Sequence, residues 1–494
     1  MVSPTAPAVV LPALIDAHAE WLIISERGKT FPVTRTEIEL HEEDNRLLFG
    51  YLDDKGFRIA RVESASAEGE EITLTVSANF GRESQVIRLV PRVSAAKLSA
   101  NVELARLQKA NQIAASITEF DPGKKLVRVA LNKGSGRFTQ IFIKDRSGVQ
   151  TAVLSDVSER TTPETLLTTA ILWLAHLQMR RKNPIDEVWI VGEKKISRNL
   201  RRLHALLERP IKHQLKIFET AKSGLKELPP LEFNNLWREK PKKLILPAEI
   251  EPSETAQRMI SLSPLKIDVM FSKNGESLRF HGLPFARVRT MPVGETAWFG
   301  TERGKRTLND STRTEFAQLM ENLGSHRNAD RTAKRHEFYR LSPESWLESI
   351  LRRNIKLLDQ NLILAPIYNQ FRTFADKIDL LALRRDGRLV IIEIKASPDR
   401  EMPFQAADYW RKIELLRRRG ELKRAKVFGD LKILDQPALV YAVAPALSFH
   451  RDFEYFARML SKKIELWRFE LHENWREEIK VIARKNYSDF ADSR

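Results

Sequence analysis

Two apolar runs towards the C-terminus constrain the fold of this chain more than any other feature. Residues 378–383 read Ile-Asp-Leu-Leu-Ala-Leu and residues 389–394 read Leu-Val-Ile-Ile-Glu-Ile, with Arg-Arg-Asp-Gly-Arg between them. An Asp-Gly pair between two apolar runs is a strong hairpin signal, because glycine accepts the positive φ that a tight turn requires. Neither run has the polar face of a surface strand. The sequence therefore predicts two adjacent strands in the interior of a sheet.

The few charged residues in these runs are the first functional candidates. Asp379 lies in the first run, and Glu393 and Lys395 lie at the end of the second, on one face by the alternation of a strand. An unpaired charge at such a position is unfavourable by several kcal/mol. Two carboxylates that share a divalent cation, with an ammonium facing the anion that the cation also binds, remove this penalty. The pattern predicts a metal-dependent phosphodiesterase site.

The same residues and a downstream glutamine–tyrosine pair carry a resemblance to a known family. Asp379, then Glu393-Ile394-Lys395, then Gln405 and Tyr409 as a QxxxY element resemble the PD-(D/E)xK nuclease superfamily in its RecB-like branch. The resemblance covers roughly residues 342–470. It implies a restriction-endonuclease-like α/β core that hydrolyses phosphodiester bonds of DNA.

The resemblance also implies a role for each residue of the motif. Asp379, Glu393 and the backbone carbonyl of Ile394 would hold Mg²⁺ or Mn²⁺, hard cations that prefer oxygen ligands. Lys395 would orient or help deprotonate a water molecule and stabilise the charged transition state. The glutamine and tyrosine of the QxxxY element would steady the lysine or the scissile phosphate.

A helix predicted ahead of these strands carries one more candidate. Ser342 and Pro343 suit the start of a helix. Many members of the family have a glutamate on this helix that points at the metal, and Glu348 matches it by position. The alternative is that Glu348 forms a surface pair with Arg352, one turn later on the same helix. The sequence leaves both possibilities open.

The charge balance indicates a polyanionic partner. The 494 residues include 82 Lys plus Arg and 65 Asp plus Glu, which gives a net charge of +17. Nucleic acid is the partner that such an excess suits best, although a merely solvated basic surface is the alternative. The residues predicted to contact DNA are Arg411, Lys412, Arg327, Arg331, Lys334 and Arg335.

The absence of cysteine excludes disulfides, thiolate metal sites and a cysteine nucleophile, and it is compatible with the reducing cytoplasm. The longest apolar stretch, residues 166–177, is about half the length that a membrane span needs. It is expected to form a buried amphipathic helix, and no membrane partner is expected.

Pattern changes along the chain predict a multidomain α/β protein. Residues 1–95 are expected to form a β-rich barrel or curled sheet, and residues 96–227 an α/β domain with the order βββαβαβ. Residues 228–336 combine a Pro-rich linker with a β and helical connecting region. Residues 337–494 would form the nuclease-like domain.

The second of these domains carries an incomplete version of the same motif. Asp156 and Glu193-Lys194-Lys195 lie at predicted strand ends, but Gly192 and the shifted lysines break the acid-x-Lys arrangement. One possibility is an inactive copy of a nuclease core that holds nucleic acid or serves structure. The other, which the sequence favours, is an unrelated α/β fold.

Two functions from different classes fit the whole sequence. The first is a Mg²⁺- or Mn²⁺-dependent deoxyribonuclease of DNA repair or defence, acting on double-stranded, single-stranded or branched DNA, with N-terminal domains that recognise the substrate or a partner. A homodimer would suit the cutting of both strands. The second is a non-catalytic nucleic-acid-binding or assembly protein on a degenerate nuclease fold. The intact set of Asp379, Glu393 and Lys395 favours the enzyme.

Overall fold

The structure is a computed structural model in which the described residues form four β-sheets. It describes residues 7–25, 30–43, 46–53, 56–68, 70–78, 83–92, 95–130, 136–157, 161–180, 184–221, 224–239, 244–247, 250–272, 275–291, 294–301, 306–329, 334–366, 368–369 and 379–488. Helices and strands both contribute throughout, so the prediction of a multidomain α/β protein is confirmed.

The N-terminal part is one helix packed on a seven-stranded antiparallel sheet. Its strand order is β2-β1-β7-β6-β5-β4-β3. Leu11 and Ile15 of the helix pack against inward-facing residues of the strands, including Trp21, Phe49 and Leu74. The sequence predicts a hairpin with strands at residues 47–52 and 57–62, and it is present as β4 and β5. Asp54 and Lys55 at its turn lie outside the described residues. The elements are α1 (Pro7–Asp16), β1 (Glu20–Ser25), β2 (Thr30–Thr34), β3 (Ile38–Glu43), β4 (Arg46–Asp53), β5 (Gly56–Glu68), β6 (Glu71–Ala78) and β7 (Glu83–Pro91).

The second domain is a six-stranded mixed sheet with helices on both faces. Its predicted βββαβαβ order is present, with one further strand at the end. Thr162 caps the helix that follows the third strand, since its hydroxyl accepts the N–H of Thr165 at 3.1 Å. The elements are α2 (Ala95–Phe120), β8 (Lys125–Ala130), β9 (Phe138–Lys144), β10 (Gln150–Asp156), α3 (Pro163–Gln178), β11 (Val188–Glu193), α4 (Lys194–His204), α5 (Arg209–Gln214), β12 (Leu215–Ala221) and β13 (Gly224–Leu228).

The connecting region contains a five-stranded antiparallel sheet of its own. Its strands pair in chain order, and Phe280, Phe285 and Phe316 are in the core beneath them. The elements are α6 (Glu254–Ser261), β14 (Ile267–Ser272), β15 (Gly275–Phe280), β16 (Leu283–Met291), β17 (Gly294–Phe299), β18 (Arg306–Thr307), α7 (Arg313–His326) and α8 (Glu337–Arg340).

The C-terminal domain is a second six-stranded mixed sheet. The sequence predicts residues 464–469 as an edge strand, but β23 lies between two neighbours, so that prediction is wrong. The elements are α9 (Pro343–Arg353), β19 (Leu362–Leu364), β20 (Leu380–Arg384), β21 (Leu389–Ile394), α10 (Met402–Arg418), α11 (Glu421–Arg424), β22 (Leu439–Pro445), α12 (Phe453–Ala457), β23 (Glu465–Leu471) and β24 (Val481–Asn486).

The second and C-terminal domains have the same topology. In each sheet the strands lie in chain order, with neighbour pairs running antiparallel, antiparallel, parallel, parallel and antiparallel. In each, one helix precedes the sheet, and the two parallel crossovers run through helices, α3 and α4 in one and α10 and α12 in the other. The second domain therefore shares the topology of the C-terminal domain, whereas the sequence favoured an unrelated α/β fold.

The crossover helices of both domains share one hydrophobic core. Leu167 and Leu200 of the second domain belong to the same buried cluster as Phe404, Trp410 and Phe456 of the C-terminal domain. On its outer face, the C-terminal sheet packs against α9 through a separate core that includes Trp346. The predicted helix of residues 166–177 is the buried α3, and none of the helices described is both long and apolar enough to cross a bilayer.

Candidate active site

The candidate site lies where β20 begins and β21 ends. The ladder pairs Leu380 with Ile392, so Asp379, which directly precedes β20, comes opposite the last residues of β21. Every residue of β21 is buried. The hairpin turn is at the far end of these strands, with Gly387 at a φ of +89° as the Asp-Gly signal predicts. A buried ladder therefore fixes Asp379 and Glu393 at the same end of the sheet.

The two carboxylates differ in how well they are satisfied. Asp379 Oδ2 accepts the backbone N–H of Ile394 at 2.8 Å. Glu393 is 2% exposed, and its Oε1 lies 3.2 Å from Lys395 Nζ. Its Oε2 is buried and has no hydrogen-bond partner among the residues that the structure describes. A buried polar atom without a partner is unfavourable by about 1–3 kcal/mol, and more when it is charged.

The electrostatics of the pair follow from burial and proximity. Burial raises the pKa of Glu393 well above its ordinary value, and the negative charge of Asp379 raises it further. Burial lowers the pKa of Lys395, but Glu393, Asp399 and other nearby carboxylates outweigh this and hold that pKa above its ordinary value. Lys395 Nζ lies 3.2 Å from Asp399 Oδ2 as well as from Glu393. The Lys395 ammonium is therefore charged at neutral pH. Its single positive charge lies beside the two acids Asp379 and Glu393 and does not balance two negative charges.

The QxxxY element lies on α10, which packs over these strands. Burial raises the pKa of the Tyr409 hydroxyl, and the charges of Glu393 and Asp379 add to the rise, so the ring lies close to both carboxylates. Gln405 is one turn earlier on the same face of the helix. The structure thus brings Tyr409 together with the acid pair, and it places Gln405 on the adjoining turn.

Glu348 does not join this group. It is 2% exposed and lies in a buried ionic cluster, with Oε1 3.5 Å from Arg352 Nη1 and 3.7 Å from Arg279 Nη1. Asp268 completes the cluster and accepts hydrogen bonds from Arg279 and from Ser349. The predicted pair with Arg352 is therefore present, but it is buried. Its physical role is to fasten α9 to β14 and β15, and the metal-facing role expected from the family does not fit this position.

The glutamate of α9 that faces the site is Glu344, which the sequence analysis missed. After burial and the larger effect of Asp379, its negative charge contributes to the raised pKa of Glu393, and it also helps raise that of Lys395. Glu344 is one turn before Glu348 and lies in the first turn of the helix. The helical spacing of four residues was a usable signal, since it places both glutamates on one face. The second missed residue, Asp399, is in the loop after β21 and has no comparable signal.

Arg327 is a structural residue and not a phosphate contact. Its side chain is 0% exposed, and its guanidinium donates to the carbonyls of Phe280, His281, Phe338 and Leu341. It also stacks 4.7 Å from the Trp346 ring centre. Burial lowers the pKa of Arg327 to about 9. The prediction that it contacts DNA does not fit, because the side chain cannot reach solvent.

The other predicted DNA contacts are distributed over different environments. Arg411 is 6% exposed and donates to Asp408 Oδ1 at 2.9 Å, so the prediction for it fails for the same reason as for Arg327. Lys412 Nζ lies 2.8 Å from Asp408 Oδ2 and keeps partial exposure. Lys334 and Arg335 are exposed, and Arg331 lies outside the described residues.

The residues at the site fit a divalent cation. In the described part of the chain no group of three or more His, Asp or Glu side chains could hold a metal ion, so a site here would consist of Asp379, Glu393 and the carbonyl of Ile394. Mg²⁺ commonly binds to one or two carboxylates and keeps water or phosphate at its other positions. The buried, unpaired Oε2 of Glu393 is the observation that such a cation would account for.

The matching strand end of the second domain has a different chemistry. Asp156 is the last residue of β10, and Glu393 is the last but one of β21. The ladder places Phe138 opposite Asp156, where the C-terminal domain has Asp379 opposite Glu393, and Arg137 directly precedes Phe138. Arg137 Nε lies 3.5 Å from Asp156 Oδ1, and the N–H of Thr161 donates to Asp156 Oδ2 at 3.0 Å. Asp156 thus has no acid opposite it in the ladder, and a neighbouring arginine forms an ion pair with it. Both oxygens of Asp156 are satisfied without a cation.

No protein-family model matches the chain, and no curated protein matches its sequence. One solved structure, described as EndoMS in apo form, aligns with 12% sequence identity over 40% of this chain and 93% of its own, with a TM-score of 0.14. A TM-score of 0.14 is too low to indicate a shared fold.

Proposed function

We propose that the C-terminal domain hydrolyses phosphodiester bonds of DNA with the help of Mg²⁺ or Mn²⁺. The observation that carries the proposal is the buried Oε2 of Glu393, which lacks a partner in the described part of the chain and lies beside Asp379. A buried acid beside a second acid destabilises a fold, and such pairs are typical of sites at which a ligand binds. The residues around the pair supply the remaining parts of a phosphodiesterase.

Each side chain has a distinct task in this proposal. Asp379 and Glu393 hold the cation together with the carbonyl of Ile394. The ammonium of Lys395, fixed between Glu393 and Asp399, points its remaining protons at the incoming water and at the phosphate oxygen on which charge develops. A bound divalent cation supplies positive charge that neutralises the phosphate and lowers the pKa of a water molecule.

Tyr409 and Gln405 act from the helix above the strands. The hydroxyl of Tyr409 keeps its proton at neutral pH, because burial and the nearby carboxylates raise its pKa. It therefore donates a hydrogen bond to a phosphate oxygen and does not act as a base. Gln405 extends the same polar face by one turn.

DNA is the substrate that the charge of the chain favours. A net charge of +17 suits a polyanion, and released counterions would strengthen its binding. The N-terminal sheet and the second domain would then hold the substrate or a partner protein. The setting would be DNA repair or defence in the cytoplasm.

The non-catalytic alternative is disfavoured by the second domain. At the end of β10, Arg137 neutralises Asp156, so this strand end needs no bound cation. The C-terminal domain has Asp379 opposite Glu393, where the second domain has Phe138 opposite Asp156. A purely structural domain would not be stabilised by a second acid at this position.

The test is cleavage of labelled single-stranded, duplex and branched DNA with Mg²⁺ or Mn²⁺. Glu393→Gln and Lys395→Met are expected to lower the rate at least ~100-fold, since each removes a group that acts on the transition state. Asp156→Asn is the matched control at the equivalent strand end and should cut at close to the wild-type rate. Thermal unfolding of each variant shows that it is folded.

Two outcomes contradict the proposal. If wild-type protein cuts none of the three substrates with either cation, it is not a deoxyribonuclease of these substrates. If the Glu393 and Lys395 variants cut as fast as the control, the reaction takes place elsewhere in the molecule.

A further inference from the structure

We propose that the second and C-terminal domains form an intramolecular counterpart of a two-fold dimer in which only the C-terminal domain cuts, so that the protein nicks one strand of duplex DNA. This inference rests on the proposed function. It adds the substrate class, a duplex that spans both domains, and the outcome, one broken strand for each binding event.

The contact between the domains is reciprocal, as two-fold symmetry requires. Leu207 and Leu460 form an antiparallel bridge, and each residue follows the second crossover helix of its own domain. Around the bridge, Glu208 N donates to the carbonyl of Met459 at 2.9 Å, and Ser461 N donates to the carbonyl of Leu206 at 2.7 Å. The same segment of each domain thus contacts its counterpart, which is the property of an isologous interface.

The interface is as well buried as a domain core. The crossover helices of both domains contribute to a single cluster, in which Leu200, Leu206, Trp410 and Phe456 are each at most 1% exposed. Interfaces of permanent dimers resemble such cores. The two sheets therefore face each other across a shared layer of helices and are held in a fixed relation.

The start of α3 in the second domain lies near α10 of the C-terminal domain. Helix α3 starts at Pro163, after six residues that follow Asp156 at the end of β10, and its first turn includes Glu164. Burial raises the pKa of Glu164 and the charge of Asp408 on α10 adds to the rise, while Glu164 in turn contributes to the raised pKa of Tyr409. Leu166 and Leu167 in α3 belong to the same buried cluster as Phe404 and Trp410 of α10, so the start of α3 and the helix that carries Tyr409 share one core.

Only one of the two strand ends is equipped to cut. The C-terminal domain presents Asp379, Glu393 and Lys395. The second domain has Arg137 and Asp156 in an ion pair, and the residue two positions after Asp156 is Ser158 where the other domain has a lysine. In the described part of this strand end, Phe138 and not an acid lies opposite Asp156, and the sequence has no lysine two positions after Asp156.

The second domain keeps features suited to holding DNA. Helix α4 starts at the end of β11, and its first two residues, Lys194 and Lys195, are exposed beside the strand end. Lysines at such a place contact phosphates without reading sequence. A protein with two-fold symmetry matches the two antiparallel strands of a duplex, one strand for each half. With one competent half, one water molecule is consumed and one P–O bond is broken, and the opposite strand stays intact.

The first experiment follows supercoiled plasmid with full-length protein in molar excess and Mg²⁺ or Mn²⁺. The expected first product is open circular DNA, and linear DNA should appear only later, as independent second nicks accumulate. If linear DNA forms from the start as fast as open circular DNA, the inference is overturned and the proposed function remains intact. A plasmid that stays supercoiled, with no substrate cut in the earlier assay, refutes the proposed function.

The second experiment tests the layout without cleavage. Binding of a short duplex is measured in chelator for wild type, for Lys194→Glu/Lys195→Glu and for the control Lys423→Glu/Lys432→Glu. The control lysines are exposed, and Lys432 is beside the hairpin turn at the opposite end of β20 and β21. Reversing the charges of Lys194 and Lys195 should weaken duplex binding on the order of tenfold or more. The slope of the logarithm of the binding constant against the logarithm of the salt concentration should become smaller in magnitude by about two. Equal loss in both double variants, or no loss at α4, overturns the inference.

Discussion

Replacing Glu393 with glutamine should stabilise the protein when no divalent cation is bound. In wild type the buried carboxylate has one oxygen near Lys395 and one without a partner among the described residues. Glutamine keeps the shape and removes the negative charge. Lys395 loses one partner but keeps Asp399 at 3.2 Å, so the substitution leaves no isolated ammonium.

The expected gain follows from the unmade hydrogen bond and the repulsion by Asp379. An unsatisfied buried polar group costs about 1–3 kcal/mol, which is the range expected for the increase in the free energy of unfolding. For a cooperative unit of 150–250 residues, each kcal/mol changes the melting temperature by about 2–4 °C. The melting temperature of Glu393→Gln in chelator should therefore rise by roughly 2–12 °C.

The gain should depend on pH in one direction. The folded-state pKa of Glu393 is raised, so the folded state retains this proton at pH values where the unfolded state has lost it. Wild-type stability consequently falls as pH rises from the unfolded value of 4.5 towards the raised folded value. The difference between glutamine and glutamate should be small near pH 4 and largest at and above neutral pH.

The assay is thermal or denaturant unfolding of wild type, Glu393→Gln and Asp156→Asn in chelator, at several pH values. Asp156→Asn is the matched control with the opposite sign, because its carboxylate accepts from Thr161 and pairs with Arg137. It should lose about 1–3 kcal/mol. A loss of stability in Glu393→Gln that equals the loss in the control would refute the reasoning, since it would mean that Glu393 is also well paired.

Two further predictions concern residues away from the site. His204 is buried, its Nε2–H donates to the carbonyl of Lys212, and burial lowers its pKa to about 4. The unfolded state therefore binds a proton that the folded state does not, and up to about 3 kcal/mol of stability should be lost as pH falls from 6.5 to about 4. Denaturant unfolding should show a flatter profile for His204→Gln and an unchanged one for the exposed His176→Gln; equal slopes in all three proteins would contradict this. Arg327→Met should lower stability by roughly 2–5 kcal/mol, because several carbonyls lose their donor. Its affinity for duplex in chelator should stay at the wild-type value, and a drop there in a folded variant would show that Arg327 does reach DNA.

Local patterns predicted the sheet that carries the site. The strands β20 and β21 and their Asp-Gly turn follow from two short apolar runs, because alternation and turn chemistry are encoded within a few residues. The same rules placed Asp379 and Glu393 at one end of the sheet. Residue spacing along α10 likewise placed Gln405 and Tyr409 on one face.

Contacts between distant segments could not be predicted in the same way. Glu348 and Arg327 look like surface charges in sequence, but β14–β16 and α9 enclose them, and nothing in residues 342–353 encodes that enclosure. The repeated topology of the second domain was also hidden. Its strand order is determined by which buried faces meet. The residues that would have marked the likeness are absent, since Phe138 lies opposite Asp156 and Ser158 stands where the C-terminal domain has Lys395.

Mn²⁺ binding, followed by electron paramagnetic resonance or calorimetry, tests the central claim most directly. Wild type should bind Mn²⁺ at a site that is lost in Asp379→Asn and retained in Asp156→Asn, with Mg²⁺ competing for it. Equal Mn²⁺ binding by wild type and Asp379→Asn, or none by wild type, would contradict the claim that this pair of carboxylates holds a cation.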